Sequence, residues 1–567
     1  MRAHPAPARL AALAIAVLLC VPPVSAQYLN HGDLTVALRN LAGRAGAQAE
    51  LVTIATSPAG RAVQALRLGA ADRPALLVIA NAHGPHLVGS TIAMTAAARI
   101  VAERVHDSST VWIIPRLNPD AAEAMFGSVR WARTGNGLAT DDDHDQRSEE
   151  DGFDDLDGDG AITQLRLLDP NGAWLADSAE PRLLRRADVA KGEVGRWTVV
   201  SEGRDDDGDE RYNEDPAGGT DVNRNFSYDY PAHGREAGLI PFSSPEARGL
   251  AEFLMAHDEI AAIYVLGPQD NLLKPWENRA NAGIMNPQTR ERAQEGTSQG
   301  GPLNSILRGD QPTFADMGRR FQEITGLEKG PASAALGGDV LSWAYFHFGR
   351  WAFGSRAWWA PDAARDTTAR GNGARSGSGG SGGGSDPLAD ERNALRWFES
   401  QGIDAFAPWT AVTVAGERRA AEAGGFRPGV LLNPPAGEQF DSTMARQGRF
   451  IVALAGMLPR LELRDARSER VGDGVYRVSV EVANIGTLPT HTDLAARLRQ
   501  PRRVRLDLAL GGATLLSGEA IQLLGSIDGG GRSTTIEWTV AARAGSTLTV
   551  TAGSPVTGTA SQTITLR

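Results

Sequence analysis

The chain has 567 residues, 42% of them hydrophobic and 22% charged, which is the composition of a globular protein rather than a disordered or fibrous one. That length exceeds what a single ordinary core organises, so one large domain with a smaller companion is expected. The formal net charge of −11 leaves no basic footprint for phosphates, so nucleic acid is excluded as a partner.

The chain opens with Arg2 and Arg9, an apolar run from Leu10 to Cys20, and small residues at Val24-Ser25-Ala26. This pattern predicts a secretory signal over residues 1–26, and hence a secreted or periplasmic protein. The run is shorter than the ~20 apolar residues a spanning helix needs, and no other segment is apolar enough, so no membrane span is expected. Cys20 is the only cysteine and lies inside the signal, so neither disulfides nor thiolate chemistry is expected after cleavage.

Residues 27–460 read as alternating strands and helices. Leu76 to Ala80 is a continuous apolar run of the kind buried on both sheet faces, followed by a helical pattern from Thr91 to about Val105. Val111 to Ile114 and Ile260 to Leu266 are further buried strands. Ser244-Pro245-Glu246 opens a helix with a capping serine, a proline at the first helical position and an acid in the first turn. The alternation implies an α/β domain with a mixed, largely parallel sheet. Residues 137–160 and 202–215 are crowded with aspartate, and Gly371 to Ser385 is a Gly/Ser-rich insertion expected to be flexible. Over residues 461–567 the pattern changes to strict alternation (Val478, Val480, Val482; Val504, Leu506, Leu508; Ile536, Trp538, Val540), which predicts a C-terminal antiparallel β-sandwich.

Several short motifs in this frame carry chemistry. Pro115-Arg116-Leu117-Asn118-Pro119-Asp120 follows a strand, Asp221-Val222-Asn223-Arg224-Asn225-Phe226 comes later, and then Phe242 to Glu246, Trp343-Ala344-Tyr345 and Phe353 to Trp359. In this order they resemble the zinc carboxypeptidases of the carboxypeptidase A type, particularly large exported bacterial members. The resemblance implies a three-layer fold and a zinc held by a His-x-x-Glu pair and a distant His, with a water in the open fourth position. It further implies a separate glutamate as general base, an Asn-Arg pair for the substrate carboxylate and an oxyanion arginine.

Aligned on that pattern, most of the catalytic set is replaced. His83 stands at the first ligand, but His86 occupies the glutamate position, and Gly267 falls where the second histidine belongs. Arg356 stands at the general base, where a guanidinium cannot accept a proton. At 4 Å and an effective dielectric of 20, unit charges repel by ~4 kcal/mol, and about twice that against a dication. His83 and His86 are thus read as a vestigial metal site, with zinc doubtful and no catalytic residue retained. Asn223 and Arg224 match the carboxylate-binding pair, and Arg133 is the candidate oxyanion arginine. With Arg356 these cations favour an anionic ligand, a peptide C-terminus or another carboxylate. Two other readings remain: that Asn223 and Arg224 are buried scaffold groups, and that Arg356 pairs with an acid.

Asp155, Asp157 and Asp159, with Gly158 and Gly160 between and after them, match half of a calcium loop, but Arg166 replaces the closing bidentate acid. Asp205, Asp207 and Asp209 repeat the spacing, as do Asp141, Asp143 and Asp145. Structural calcium and plain solvated acidity both account for them. Gly296-Thr297-Ser298-Gln299-Gly300 fits a serine-hydrolase pattern without the strand and helix that motif needs. The reading is a secreted, inactive carboxypeptidase homologue. Its rival is an active metallocarboxypeptidase holding zinc with His83, His86 and Asp270 or Glu277.

Overall fold

The structure is a computed structural model, and it describes residues 28–139, 152–205, 218–232, 234, 236–276, 305–331, 333, 337–362 and 388–567. The signal segment, Asp141, Asp143, Asp145, Asp207, Asp209, Glu277, Gly296 to Gly300 and Gly371 to Ser385 lie outside the described residues.

The central sheet has six strands in the order Ala49–Thr56, Ala62–Leu68, Thr110–Ile114, Ala75–Ala80, Ile260–Leu266, Trp351–Ser355. The first two pairings are antiparallel and the remaining three parallel, so the sheet is mixed as the apolar runs imply. Every residue of the Thr110, Ala75, Ile260 and Trp351 strands is buried, because helices cover both faces. Cross-strand register shows how. Leu77, Trp112 and Ile263 lie side by side on one face, where Trp112 meets Phe253 of the helix Pro245–Ala256 edge-on at 5.0 Å. Val78, Ile113 and Tyr264 form the other face, where Tyr264 meets Phe450 of the helix Glu438–Ala455 at 5.4 Å. The domain is a helix–sheet–helix sandwich of three layers.

The helix after the Ala75 strand runs Leu87–Ala102, four residues earlier than the sequence pattern places its start. Trp343 to Tyr345 lies in a short helix, Val340–Phe346, and only the following segment is a strand. Asp339 starts that helix by accepting from the Ser342 amide at 2.7 Å. Ser244 caps Pro245–Ala256 as read, accepting from Ala247, but Glu246 is buried and takes hydrogen bonds from Ser244 and Asn136 rather than facing solvent.

A second six-stranded sheet is antiparallel throughout, in the order Phe406–Val412, Ala421–Phe426, Gln164–Leu168, Trp197–Ser201, Trp174–Ala176, Leu184–Arg186. One face buries Leu165, Leu167 and Ala421 in a small core, while Gln164, Val199 and Ser201 line a cavity on the other.

Residues 461–566 form two four-stranded antiparallel sheets that share a core of Val478, Val480, Val482, Leu506, Trp538, Val540 and Val550, a β-sandwich. It docks on the α/β domain through the Trp351 indole, which donates to Pro489 O at 3.0 Å, and through Thr492, which donates to Gly349 O at 2.8 Å. Asp310, 2% exposed, accepts the amides of Asp493 (2.7 Å) and Leu494 (3.3 Å) and the Tyr345 hydroxyl (2.8 Å). Asp310→Ala strands three donors at this junction and is expected to lower stability by roughly 3 kcal/mol. Urea denaturation of the variant checks it, and an unchanged midpoint would show that the junction contributes little.

Candidate functional site

The three parallel strands that carry the site end level. Ala80 pairs with Leu266 and Leu266 with Ser355, so the segments after them emerge side by side. His83 and His86 follow the first, Gly267 the second and Arg356 the third. This is the carboxyl end of a parallel sheet, where α/β folds place ligands.

The first turn is tightly built. Asn81, in left-handed backbone at φ 56, donates its amide to the carbonyls of His83 (3.2 Å), Gly84 (2.8 Å) and His86 (3.2 Å). Gly84 has no room for a side chain: an added Cβ would lie 2.2 Å from Ala121 Cβ and 2.8 Å from Arg133 O. Asn433 reaches in from a distant loop, accepting from Val88 N (2.9 Å) and donating to Pro85 O (2.8 Å).

His86 is fully buried, and its Nε2 lies 3.0 Å from the main-chain oxygen of Arg356. A carbonyl only accepts, so Nε2 carries the proton and donates. The opposite nitrogen, Nδ1, is buried without a hydrogen-bond partner. Burial drives His86 down to about 3, with the Arg356 carbonyl opposing and the charges of His83 and Arg356 adding to it. His83, half-buried, is pushed to about 4 by burial first and then by the Arg356 cation. Both imidazoles are neutral at neutral pH.

Arg356 has no ion pair among the described residues. Its Nη2 donates to Leu431 O at 3.4 Å, and its Nε is buried with no hydrogen-bond partner. Burial lowers its pKa, with Asp390 opposing, but a guanidinium remains charged. Gly267 offers no donor, although an added Cβ there would meet nothing closer than 3.8 Å.

A catalytic zinc needs three protein ligands and an open position. Here His86 commits its Nε2 proton to a carbonyl and turns Nδ1, which carries its remaining lone pair, toward Gly89; Gly267 has no side chain, and the Arg356 cation lies near His83. The residues present do not fit the metal. Nor are His83, His86 and Asp270 brought together: among the described residues the one group of three ligating side chains within 4.8 Å is Asp155, Asp157 and Asp159. Asp270 instead holds its own loop, accepting the amides of Leu272 (3.0 Å) and Leu273 (2.8 Å). Burial raises it to about 6. The Arg356 amide and Ser355 hydroxyl lie near enough to lower it, but neither closes a hydrogen bond onto Oδ2.

Arg356 lines a cavity of about 1230 Å³ between the strand ends and the cavity-facing side of the second sheet. Trp131, Trp174, Phe406 and Phe426 also line it, with Leu431 and the half-buried Glu391. Most of the other cations there are neutralised: Arg185 by Glu193, Lys191 by Asp188, Arg427 by Asp404 and Asp159.

Asn223, Arg224 and Arg133 are not among the cavity's lining residues, so the expected convergence of three guanidiniums on one cleft is not what the structure places there. Asn223 is buried: it donates to Gln269 Oε1 at 3.0 Å and accepts from Val340 N at 3.3 Å, bridging the Gly267 loop to the helix Val340–Phe346. Arg224 is half-buried in the one-turn helix Val222–Arg224. Arg133 donates to Asp120 O at 3.0 Å and stacks on Trp131 at 5.3 Å.

In the acidic loop, Asp155 and Asp157 accept the Asp159 amide, Asp155 also the Gly160 amide, and Asp159 pairs with Arg427 at 2.9 Å. Asp205 is outside the Asp155 group. Sequence reading missed the second sheet, Glu391 and the struts Asn81 and Asn433; an asparagine directly after a buried strand was the available signal for Asn81.

Residues 34–160 match the zinc carboxypeptidase family, and residues 460–565 match a domain of unknown function. The stretch that bears His83 and His86 is therefore zinc carboxypeptidase-like. No curated protein matches the chain. Among solved structures, bovine thrombin-activatable fibrinolysis inhibitor in complex with tick carboxypeptidase inhibitor is similar at 11% identity, over 76% of this chain and 97% of that one, with a TM-score of 0.34. Carboxypeptidase A from Helicoverpa armigera is similar at 13% identity, over 58% and 64%, TM-score 0.32. A metallo-carboxypeptidase from Burkholderia cenocepacia follows at 12%, over 57% and 58%, TM-score 0.27. Likeness at these scores places no individual side chain.

His86 sets a pH dependence. Its folded value, about 3, lies below the ordinary ~6.5, so its contribution is present above pH 6.5 and is lost as pH falls toward 3. Between pH 7 and 5 that loss should be about 2 kcal/mol, at 1.36 kcal/mol per unit. The difference in urea stability between wild type and His86→Gln over this range measures it, and a flat difference would contradict the assignment.

Proposed function

We propose that this chain is an exported, non-hydrolytic relative of the zinc carboxypeptidases that binds a carboxylate-bearing ligand, such as a peptide C-terminus, in the cavity at Arg356. The observation that carries it is the largely buried guanidinium of Arg356, which has no ion pair among the described residues, on a residue that lines a cavity together with aromatic side chains. An unpaired buried cation costs several kcal/mol, and a carboxylate that pairs with it offsets that cost through bidentate, charge-assisted hydrogen bonds. The absence of hydrolysis follows from the same residue: Arg356 takes no proton from water, and His86 and Gly267 supply no open metal site beside it. Export is supported by the sequence pattern of residues 1–26. Among the described residues no helix is long and apolar enough to cross a membrane.

Purified protein with added zinc is expected to show no turnover of N-blocked dipeptides, and calorimetry is expected to detect binding of the free carboxylate but not of the matching amide. Arg356→Gln should weaken that binding about ten-fold or more, the loss of roughly 1.4 kcal/mol or above. Chelator-sensitive turnover with stoichiometric zinc would reverse the reading in favour of the active enzyme. Because a side chain at Gly267 meets no close neighbour, the combined variant Gly267→His, His86→Glu, Arg356→Glu is expected to bind zinc at one equivalent by elemental analysis, where wild type does not.

A further inference from the structure

The proposed ligand site depends on where the Arg356 main chain points, and that backbone does not hold itself. The residue after it, Ala357, is buried in left-handed backbone at φ 68, a conformation a non-glycine residue keeps only when its surroundings enforce it. Three neighbours do so. The Ala357 amide donates to Ser355 Oγ at 3.0 Å, the Trp358 amide donates to Arg356 O at 2.8 Å, and Gln447 reaches Ala357 O from the helix Glu438–Ala455 at 3.4 Å. Among the described residues, the neighbouring strand ends reach Ser355 O through the Gly267 amide at 3.3 Å and Arg356 itself through His86, whose Nε2 donates to the same Arg356 carbonyl.

His86 is itself fixed. Its main-chain oxygen accepts from Asn81, its amide donates to His83 O at 3.1 Å, and its ring stands against the first turn of the helix Leu87–Ala102. Gly89 makes the space: a Cβ there would lie 3.0 Å from His86 Nδ1 and 3.1 Å from Leu266 O. The ring thus lies with Nδ1 toward Gly89 at the helix start, and its Nε2 reaches Arg356 O.

We propose that His86 is a positioning residue: standing where the family has a metal ligand, it uses its Nε2–H to fix the Arg356 backbone and so direct the guanidinium into the cavity. The proposal rests on the carboxylate-binding reading and adds a second residue to that site. A histidine so used is chosen for its distal N–H donor and not for a metal-binding lone pair. Glutamine carries an N–H at nearly the same reach, whereas leucine matches the volume and carries none.

The test compares binding of an N-blocked dipeptide with a free carboxylate to wild type, His86→Gln, His86→Leu and Arg356→Gln, each held well below its melting temperature. His86→Leu is expected to weaken binding about ten-fold or more, and His86→Gln to remain within about three-fold of wild type. A merely structural role would weaken both His86 variants alike or neither, and either pattern overturns the proposal while the Arg356 reading stands. Equal binding by Arg356→Gln and wild type, or no binding by wild type, would sink the carboxylate reading instead. The histidine role is then decided by a second measurement, nitrogen-15 spectra of histidine-labelled full-length protein. The His86 ring is expected as the Nε2–H tautomer, unmoved by added zinc, and a zinc-induced loss of that proton would overturn the proposal.

Discussion

The organising constraint of this molecule is that three parallel strands finish in register. With Ala80, Leu266 and Ser355 side by side, three loops leave the sheet at one level and their main-chain groups must find partners there. In a zinc site the metal draws such loops together through their side chains. Here polar side chains do it. Asn81 binds three carbonyls of its own turn, and Asn433 ties that turn to the Gly429 loop. Asn271 accepts from Gly354 N at 2.9 Å and donates to Ala352 O at 3.0 Å, clamping the second loop to the third strand. His86 spans from the first loop to Arg356. These bonds connect the three loops through protein groups alone.

Electrostatics follow from the same frame. Burial at the strand ends holds His83 and His86 neutral and raises Asp270 to about 6, which leaves it ionised at neutral pH. The permanent charge in this set is the Arg356 guanidinium, which burial cannot neutralise. On the proposed reading, Arg356, set among aromatic side chains and cations that are mostly ion-paired, favours an anion over a dication.

Much of this was legible in the sequence because it is written locally. Continuous apolar runs mark doubly covered strands, and Ser244-Pro245 marks a helix start whatever surrounds it. Arg356 could be set against the family pattern because Phe353 and Trp358 flank it. What could not be read was non-local. The second sheet joins Gln164–Leu168 to Ala421–Phe426 across more than half the α/β domain, and its short strands alternate too weakly to announce pairing. The bond between His86 and a main-chain oxygen 270 residues later leaves no pattern in either segment. The Asn-Arg pair shows the same limit: Asn223 sits in a recognisable motif, and its amide donates to Gln269 Oε1 and accepts from Val340 N, contacts that the motif does not announce.

The β-sandwich sits at the other end of the same strands. Its contacts fall on Gly349 and Trp351, at the start of the Trp351 strand, while Arg350 donates to Ile260 O at the start of the neighbouring strand. Gly558 in its last hairpin approaches Pro74, just before the Ala75 strand. Seven residues of the Ile260 strand, at ~3.3 Å each, separate these contacts from the loop ends by about 20 Å. The sandwich contributes no residue to the lining of the Arg356 cavity. What it does supply is closure of the amino end of the parallel sheet, where Asp310, Thr492 and the Trp351 indole satisfy groups that solvent would otherwise have to reach.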